Sequence, residues 1–94
     1  MAIASAVAAD VTAKLAPIAT AVGAAWAGEV VRRLRADDRA VVGAWPGTMS
    51  EARMRVLARL HLKLDAEVLD DLARVATVAA RREWQQVSEP DLEP

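Results

Sequence analysis

His61 and Asp65 are the pair of side chains whose types and spacing come nearest to acid–base chemistry. On a continuous helix a spacing of four residues puts an imidazole beside a carboxylate that could orient it as a general base. Asp65, however, stands where a helix N-cap is expected, which would break that turn, and no serine or threonine is suitably spaced to act as the nucleophile. A polar residue at the edge of an apolar helix face explains His61 better, so we predict that the chain is not an enzyme.

Metal, phosphate and cofactor sites are not indicated by the remaining residues. The chain has no cysteine and one histidine, which excludes thiolate zinc sites, iron–sulfur centres and thiol nucleophiles. Gly43 and Gly47 flank a Trp-Pro pair without the spacing of a phosphate-binding loop. The carboxylates of segment 65–71 lack the pattern of a calcium loop, and a position in the first turns of a helix already explains them. We therefore expect no metal and no cofactor.

Basic side chains are concentrated in segment 48–63, which carries four basic residues and one acidic residue. Arg55, Arg59 and Lys63 follow one another at a spacing of four, so they form a line along one flank of a helix. We predict that this line binds a protein partner. Nucleic acid is the alternative, although the pI of 5.8 and the carboxylates that open the next helix disfavour it. A face that contacts only solvent also stays possible.

Two further sets of residues are candidates for interfaces. Trp45 lies in a Trp-Pro-Gly turn and could anchor a protein partner, since tryptophan is enriched at interface hot spots. It could instead fold back on the core, as a single tryptophan near a helix start commonly does. The second set follows one side of a predicted helix, where small residues would let another helix approach closely. The residues predicted to mediate self-association are Gly23, Trp26, Ala27, Val30 and Leu34.

All of these side chains must be positioned by helices, which the composition strongly favours. Alanine occupies 22 of the 94 positions, whereas the only aromatic residues are three tryptophans, and glycine and proline number four each. A β-sandwich or barrel needs more β-branched and aromatic strand residues and more turn residues. The apolar spacing predicts helices over 2–15, 17–36, 48–63 and 65–87, which gives an all-α fold, a small antiparallel bundle of about four helices.

Proline and turn residues leave the helix count open in the first half of the chain. Pro17 disfavours helical geometry at Ala16, so either a new helix starts there or one long helix kinks. A short extra turn over 37–43 and a split of the second helix would instead give five or six helices. That count is typical of a death-like bundle, which is an analogy of architecture only.

Helix starts in the second half are better defined. Thr48 followed by Glu51 is a capping-box signature, which predicts a helix that begins at Met49. Asp65 is the expected cap of the last helix. Residues 1–87 are predicted to form a single helical domain, and the prolines and carboxylates of residues 88–94 predict a flexible acidic tail.

Localisation and function follow from the same features. Segment 1–28 has no basic residue before Lys14, unlike a secretory signal, and its longest uncharged run is shorter than the ~20 residues of a membrane span. We therefore expect a cytoplasmic protein with no membrane contact. Alanine buries little apolar area, so a small alanine-rich core gains from oligomerisation. We predict a regulatory, non-enzymatic helical adaptor that binds another protein and forms a homo-oligomer.

Overall fold

A computed structural model describes residues 2–89 of the chain, with side chains from residue 8 onward. This part contains three helices and no strand, which confirms the all-α class. The helices are α1 (Ala2–Ala36), α2 (Met49–Leu60) and α3 (Ala66–Val87). None of them is long and apolar enough to cross a membrane.

The three helices form an up-down-up bundle. Arg53 and Met49 of α2 contact Asp70 and Thr77 of α3, so sequence order reverses across this pair and the two helices are antiparallel. The residues of α1 and α3 that pack against each other follow in the same order along both helices, so these two helices are parallel. The core therefore lies along α3, which packs against both other helices.

Of the two alternatives at Pro17, a new helix or one long helix, the structure has one long helix. Helix α1 continues through this residue, so the predicted helices 2–15 and 17–36 are one helix. Leu15 and Ala19, on either side of the proline, pack on the same apolar cluster, and this shared packing outweighs the hydrogen bond that proline cannot donate. The described residues therefore form three helices, neither the predicted four nor a death-like bundle of five or six.

Small side chains make the contact between α1 and α3. Ala19, Gly23 and Ala27 follow one another at a spacing of four along α1 and are all buried. Ala76 and Ala80 on α3 are fully buried against them. A Cβ atom at Gly23 would overlap the carbonyl oxygen of Ala76 and lie 2.8 Å from its carbonyl carbon. The two backbones therefore touch, which requires glycine at this crossing.

The starts of α2 and α3 lie where local signals predict them. The Thr48 hydroxyl accepts from the Glu51 N–H at 3.2 Å, and the Glu51 carboxylate accepts from the Thr48 N–H at 3.0 Å. This reciprocal pair confirms the capping box before Met49. Asp65 is the N-cap residue of α3, as predicted, although its side chain makes no capping hydrogen bond.

Helix α2 is shorter at its end than predicted. It stops at Leu60 because His61 adopts a left-handed conformation (φ 54°) while its N–H still donates to the Leu57 carbonyl. Lys63 therefore lies in the connection between the helices rather than on α2.

The end of α3 is held by the loop that follows α1. Helix α3 stops at Val87, as predicted, and the N–H of Glu89 donates to the carbonyl of Val41 at 2.7 Å. The first two residues of the predicted tail therefore remain against the bundle. Residues 90–94 of that tail lie outside the described part of the chain.

Candidate protein interface

Three tryptophans that are distant in sequence meet at one end of the bundle. The ring centroids of Trp26 and Trp45 lie 4.9 Å apart in an edge-to-face arrangement, and those of Trp45 and Trp84 lie 5.6 Å apart. The Trp84 indole N–H donates to the Gly43 carbonyl at 2.7 Å. Trp45 thus folds back on the core, as one of its two predicted roles requires, and its indole nitrogen is buried without a hydrogen-bond partner.

Arg55 joins α2 to α1 beside this cluster. Its Nη1 donates to one Glu29 carboxylate oxygen at 2.9 Å, and its Nη2 lies 3.5 Å from the other. The guanidinium carbon stands 5.3 Å from the centre of the Trp26 ring, within cation–π range. The hydrogen bond and the positive charge of Arg55 lower the pKa of Glu29, and the nearby charge of Arg33 adds to the effect.

The basic line predicted for a partner is therefore not uniform. Arg55 is held by Glu29, whereas Arg59 is exposed and forms no ion pair with any described carboxylate. Lys63 is exposed beyond the end of α2, so the line is not one continuous helix flank. Of these three basic residues, Arg59 is therefore the one that lies on the surface of α2 and is available to a partner.

A fourth basic residue of this segment is also neutralised. Arg53 donates from Nε to a carboxylate oxygen of Asp70 at 2.6 Å. A basic residue of segment 48–63 is thus paired with a carboxylate of segment 65–71 inside the α2–α3 hairpin. Both side chains are about two-fifths exposed, so the pair adds little stability but aligns the two helices.

The residues predicted for self-association are core residues of one chain. Gly23, Trp26 and Ala27 are buried beneath α3 and the loop after α1. Val30 and Leu34 are half buried and pack on the cluster that contains Trp84. These residues are buried because α3 of the same chain already occupies the space beside Gly23, where the two backbones touch. Gly23, Trp26 and Ala27 are therefore not exposed to another chain in the described fold.

A groove of about 500 Å³ remains open between α1 and α2. Small apolar side chains, the edge of the Trp26 ring and the Glu29–Arg55 pair line it, and Arg59 stands at its rim. The α1 contribution was not predicted from the sequence, where Gly23 and Ala27 were assigned to self-association and Ala21 and Ala25 to no interface. The apolar residues that line the groove are Ala21, Val22, Ala25 and Ala58.

A second cleft, of about 460 Å³, lies on the opposite side of α1, against the outer face of α3. Val75 and Val78 form its apolar centre, and Val78 is 52% exposed. Asp71 and Arg82 lie toward its two ends. The sequence analysis also missed this surface, although Val78 interrupts the otherwise polar side of the last helix and could have signalled it.

The His61–Asp65 pair singled out in the sequence is not brought together in the structure. His61 is exposed after the end of α2 and makes no side-chain hydrogen bond to Asp65. No group of three or more metal-ligating side chains occurs in this part of the chain. The two clefts are therefore the features that a functional argument can use.

Comparison of the chain with protein-family models, curated proteins and solved structures found no match. Function must accordingly be argued from the surfaces and charges of the chain itself.

Proposed function

We propose that this protein is a non-enzymatic helical interaction module that binds a helix of another protein in the α1–α2 groove and also self-associates. The observation that carries the proposal is the open groove itself. Its apolar lining extends along α1 from Ala21 to Ala25 and continues to Glu29, a length of about 12 Å or two helical turns. Grooves of this kind accept the apolar face of an amphipathic helix.

The chemistry of the partner follows from the lining and the rim. The alanines on both walls leave room for a closely packed helix with small or medium apolar side chains at a spacing of three or four. Arg59 at the rim is available for a carboxylate, whereas Arg55 is already paired with Glu29. The partner helix is therefore amphipathic, with an acidic residue beside its apolar stripe.

Nucleic acid remains the alternative, through the arginine face of the predicted 49–63 helix. Arg53 and Arg55 are each paired with a carboxylate, which leaves Arg59 and Lys63 for phosphates. Two dispersed cations give weak attraction to a polyanion, because affinity grows with the number of phosphates neutralised. The charge distribution therefore supports a protein partner more strongly.

The test is selection from a displayed library of amphipathic helical peptides, followed by titration of the enriched peptide. Ala25→Arg places a long cation on the exposed wall of the groove and should weaken binding by tenfold or more, about 1.4 kcal/mol. Ala36→Arg, at an exposed position of the same helix outside the groove, is the matched control and should bind as the wild type does.

A labelled DNA duplex titrated at two salt concentrations separates the alternative. Tight binding that falls steeply with salt and is lost in Arg59→Ala/Lys63→Ala would favour the nucleic-acid function. If no enriched peptide binds Ala25→Arg more weakly than it binds the wild type, the α1–α2 groove is not a peptide-binding site.

A further inference from the structure

The outer face of α3 carries an apolar centre between two ends of opposite charge. Val75 and Val78 form the centre, Asp71 lies one turn toward the start of the helix, and Arg82 lies one turn toward its end. Spacings of four, three and four residues place these side chains on one stripe, as at the a and d positions of a heptad. The stripe is open, since Val78 is 52% exposed.

Helix α1 turns this stripe into a cleft. Thr12 and Thr20 form the wall opposite Val75 and Val78, and the space between the two helices measures about 460 Å³. A helix laid along the stripe would contact both α1 and α3. It would therefore complete a four-helix arrangement that the three helices of the described residues cannot make alone.

The charges of one stripe are complementary to those of a second stripe that runs in the opposite direction. Asp71 also pairs with Arg74 of its own helix, and Arg74 lines the same cleft. When two α3 helices pair antiparallel about a two-fold axis between Ala76 and Thr77, each Asp71 lies between its own Arg74 and the other copy's Arg82, and Arg74 faces Ala79. The same register places Val75 opposite Val78. A two-fold interface requires this reciprocity, because each contact must occur twice.

A parallel pair of the same stripes would be repulsive. It would place Asp71 against Asp71 and Arg82 against Arg82, and like charges that face each other disfavour an interface. In the antiparallel pair the helix dipoles also oppose each other favourably. The charge order along the stripe thus selects both the partner and its direction.

We infer that a second copy of this chain occupies the α1–α3 cleft, with the two α3 stripes antiparallel. Because self-association is part of the proposed function, this homodimer rests on it. It uses a different face from the α1–α2 groove, so each surface can be tested without the other.

The first experiment measures mass by analytical ultracentrifugation from micromolar concentration to about 1 mM. The wild type should approach about 20 kDa, twice the 10.0 kDa of one chain. Val78→Glu should remain a 10 kDa monomer with unchanged helix content by circular dichroism. Met54→Glu, at a 69% exposed apolar position on α2, is the matched control and should dimerise as the wild type does. A wild type that is monomeric throughout, or a Val78→Glu variant that still dimerises, would overturn the proposal.

The second experiment tests the direction of pairing by charge reversal. Asp71→Arg and Arg82→Asp should each raise the dimer Kd by about tenfold, because the two-fold axis repeats every altered pair. The double variant Asp71→Arg/Arg82→Asp restores opposite charges across the antiparallel interface and should recover the wild-type Kd. A double variant no tighter than either single variant would overturn the antiparallel arrangement.

Ala25→Arg separates the dimer from the proposed groove function. This variant should dimerise normally but lose peptide binding, and monomeric Val78→Glu should still bind the peptide. If Ala25→Arg instead dissociates the dimer, the second copy lies in the α1–α2 groove, which overturns this inference and leaves the groove itself intact.

Discussion

Helix α1 makes two contacts that differ in almost every physical respect. Against α3 it presents small side chains, and the two backbones touch at Gly23. Against α2 it leaves an open groove that is bridged by Arg55 and Glu29. The first contact depends on shape and the second on charge.

This difference separates the part of the molecule that holds the fold from the part available for binding. Close-packed small residues tolerate no added volume, because the surrounding backbone cannot yield. A half-exposed ion pair beside a groove contributes little to folding but sets which charges a partner must carry. Changes in the α1–α3 contact should therefore alter stability most, and changes in the α1–α2 contact should alter binding.

The largest expected effect comes from adding one methyl group to the α1–α3 contact. Gly23→Ala should destabilise the fold by about 3 kcal/mol, because its Cβ would collide with the carbonyl of Ala76. Gly28→Ala is the matched control five residues along the same helix. There the added Cβ would come no closer than 3.4 Å, to the end of the Arg32 side chain, so better helix propensity should stabilise the fold by about 0.5–1 kcal/mol.

Urea unfolding followed by circular dichroism measures both variants. Opposite signs for the two glycines would support a backbone contact at Gly23 alone. A Gly23→Ala variant as stable as the wild type would mean that the α1 and α3 backbones do not touch at this position.

A smaller effect is expected from the tryptophans at the end of the bundle. Trp84→Phe removes the hydrogen bond to the Gly43 carbonyl, whereas Trp45→Phe removes a buried indole N–H that has no partner. Both variants lose ring area, but Trp84→Phe should cost about 1 kcal/mol more, because only it loses a formed hydrogen bond. Thermal unfolding at matched concentration measures the difference. Equal losses would show that the bond to Gly43 adds nothing beyond packing.

The features of the fold that were predicted correctly have local causes. Thr48 and Glu51 define the start of α2 through backbone and side-chain groups three residues apart, so the sequence suffices to place it. At Pro17 the sequence left a new helix and one long helix both open. The choice depends on packing of the two helix halves against α3, which the local spacing around the proline does not specify.

The candidate site was less predictable than the fold for the same reason. The line of Arg55, Arg59 and Lys63 was visible from spacing, but its division into a paired and an available member was not. Arg55 meets Glu29 across 26 positions of sequence, and α2 ends before Lys63 because His61 turns left-handed. Spacing along a helix indicates which side chains share a face. Which of these charges stays unpaired depends on residues of another helix, here Glu29 across the groove.

The smallest expected effect is a pH dependence confined to the α1–α2 contact. The hydrogen bond and charge of Arg55 lower the pKa of Glu29 from its usual value of 4.5, so the folded state releases this proton more readily than the unfolded chain. The stabilisation is therefore complete above about pH 5 and is lost as the pH falls through the lowered pKa. The free energy of unfolding should exceed that of Glu29→Gln near neutral pH, and the two should converge in acid. Glu83→Gln removes a carboxylate that forms no ion pair with any described residue and serves as the control. A Glu29→Gln variant whose stability equals that of the wild type at every pH would show that the ion pair orients Arg55 without stabilising the fold. The α1–α2 contact would then depend on shape, as the α1–α3 contact does.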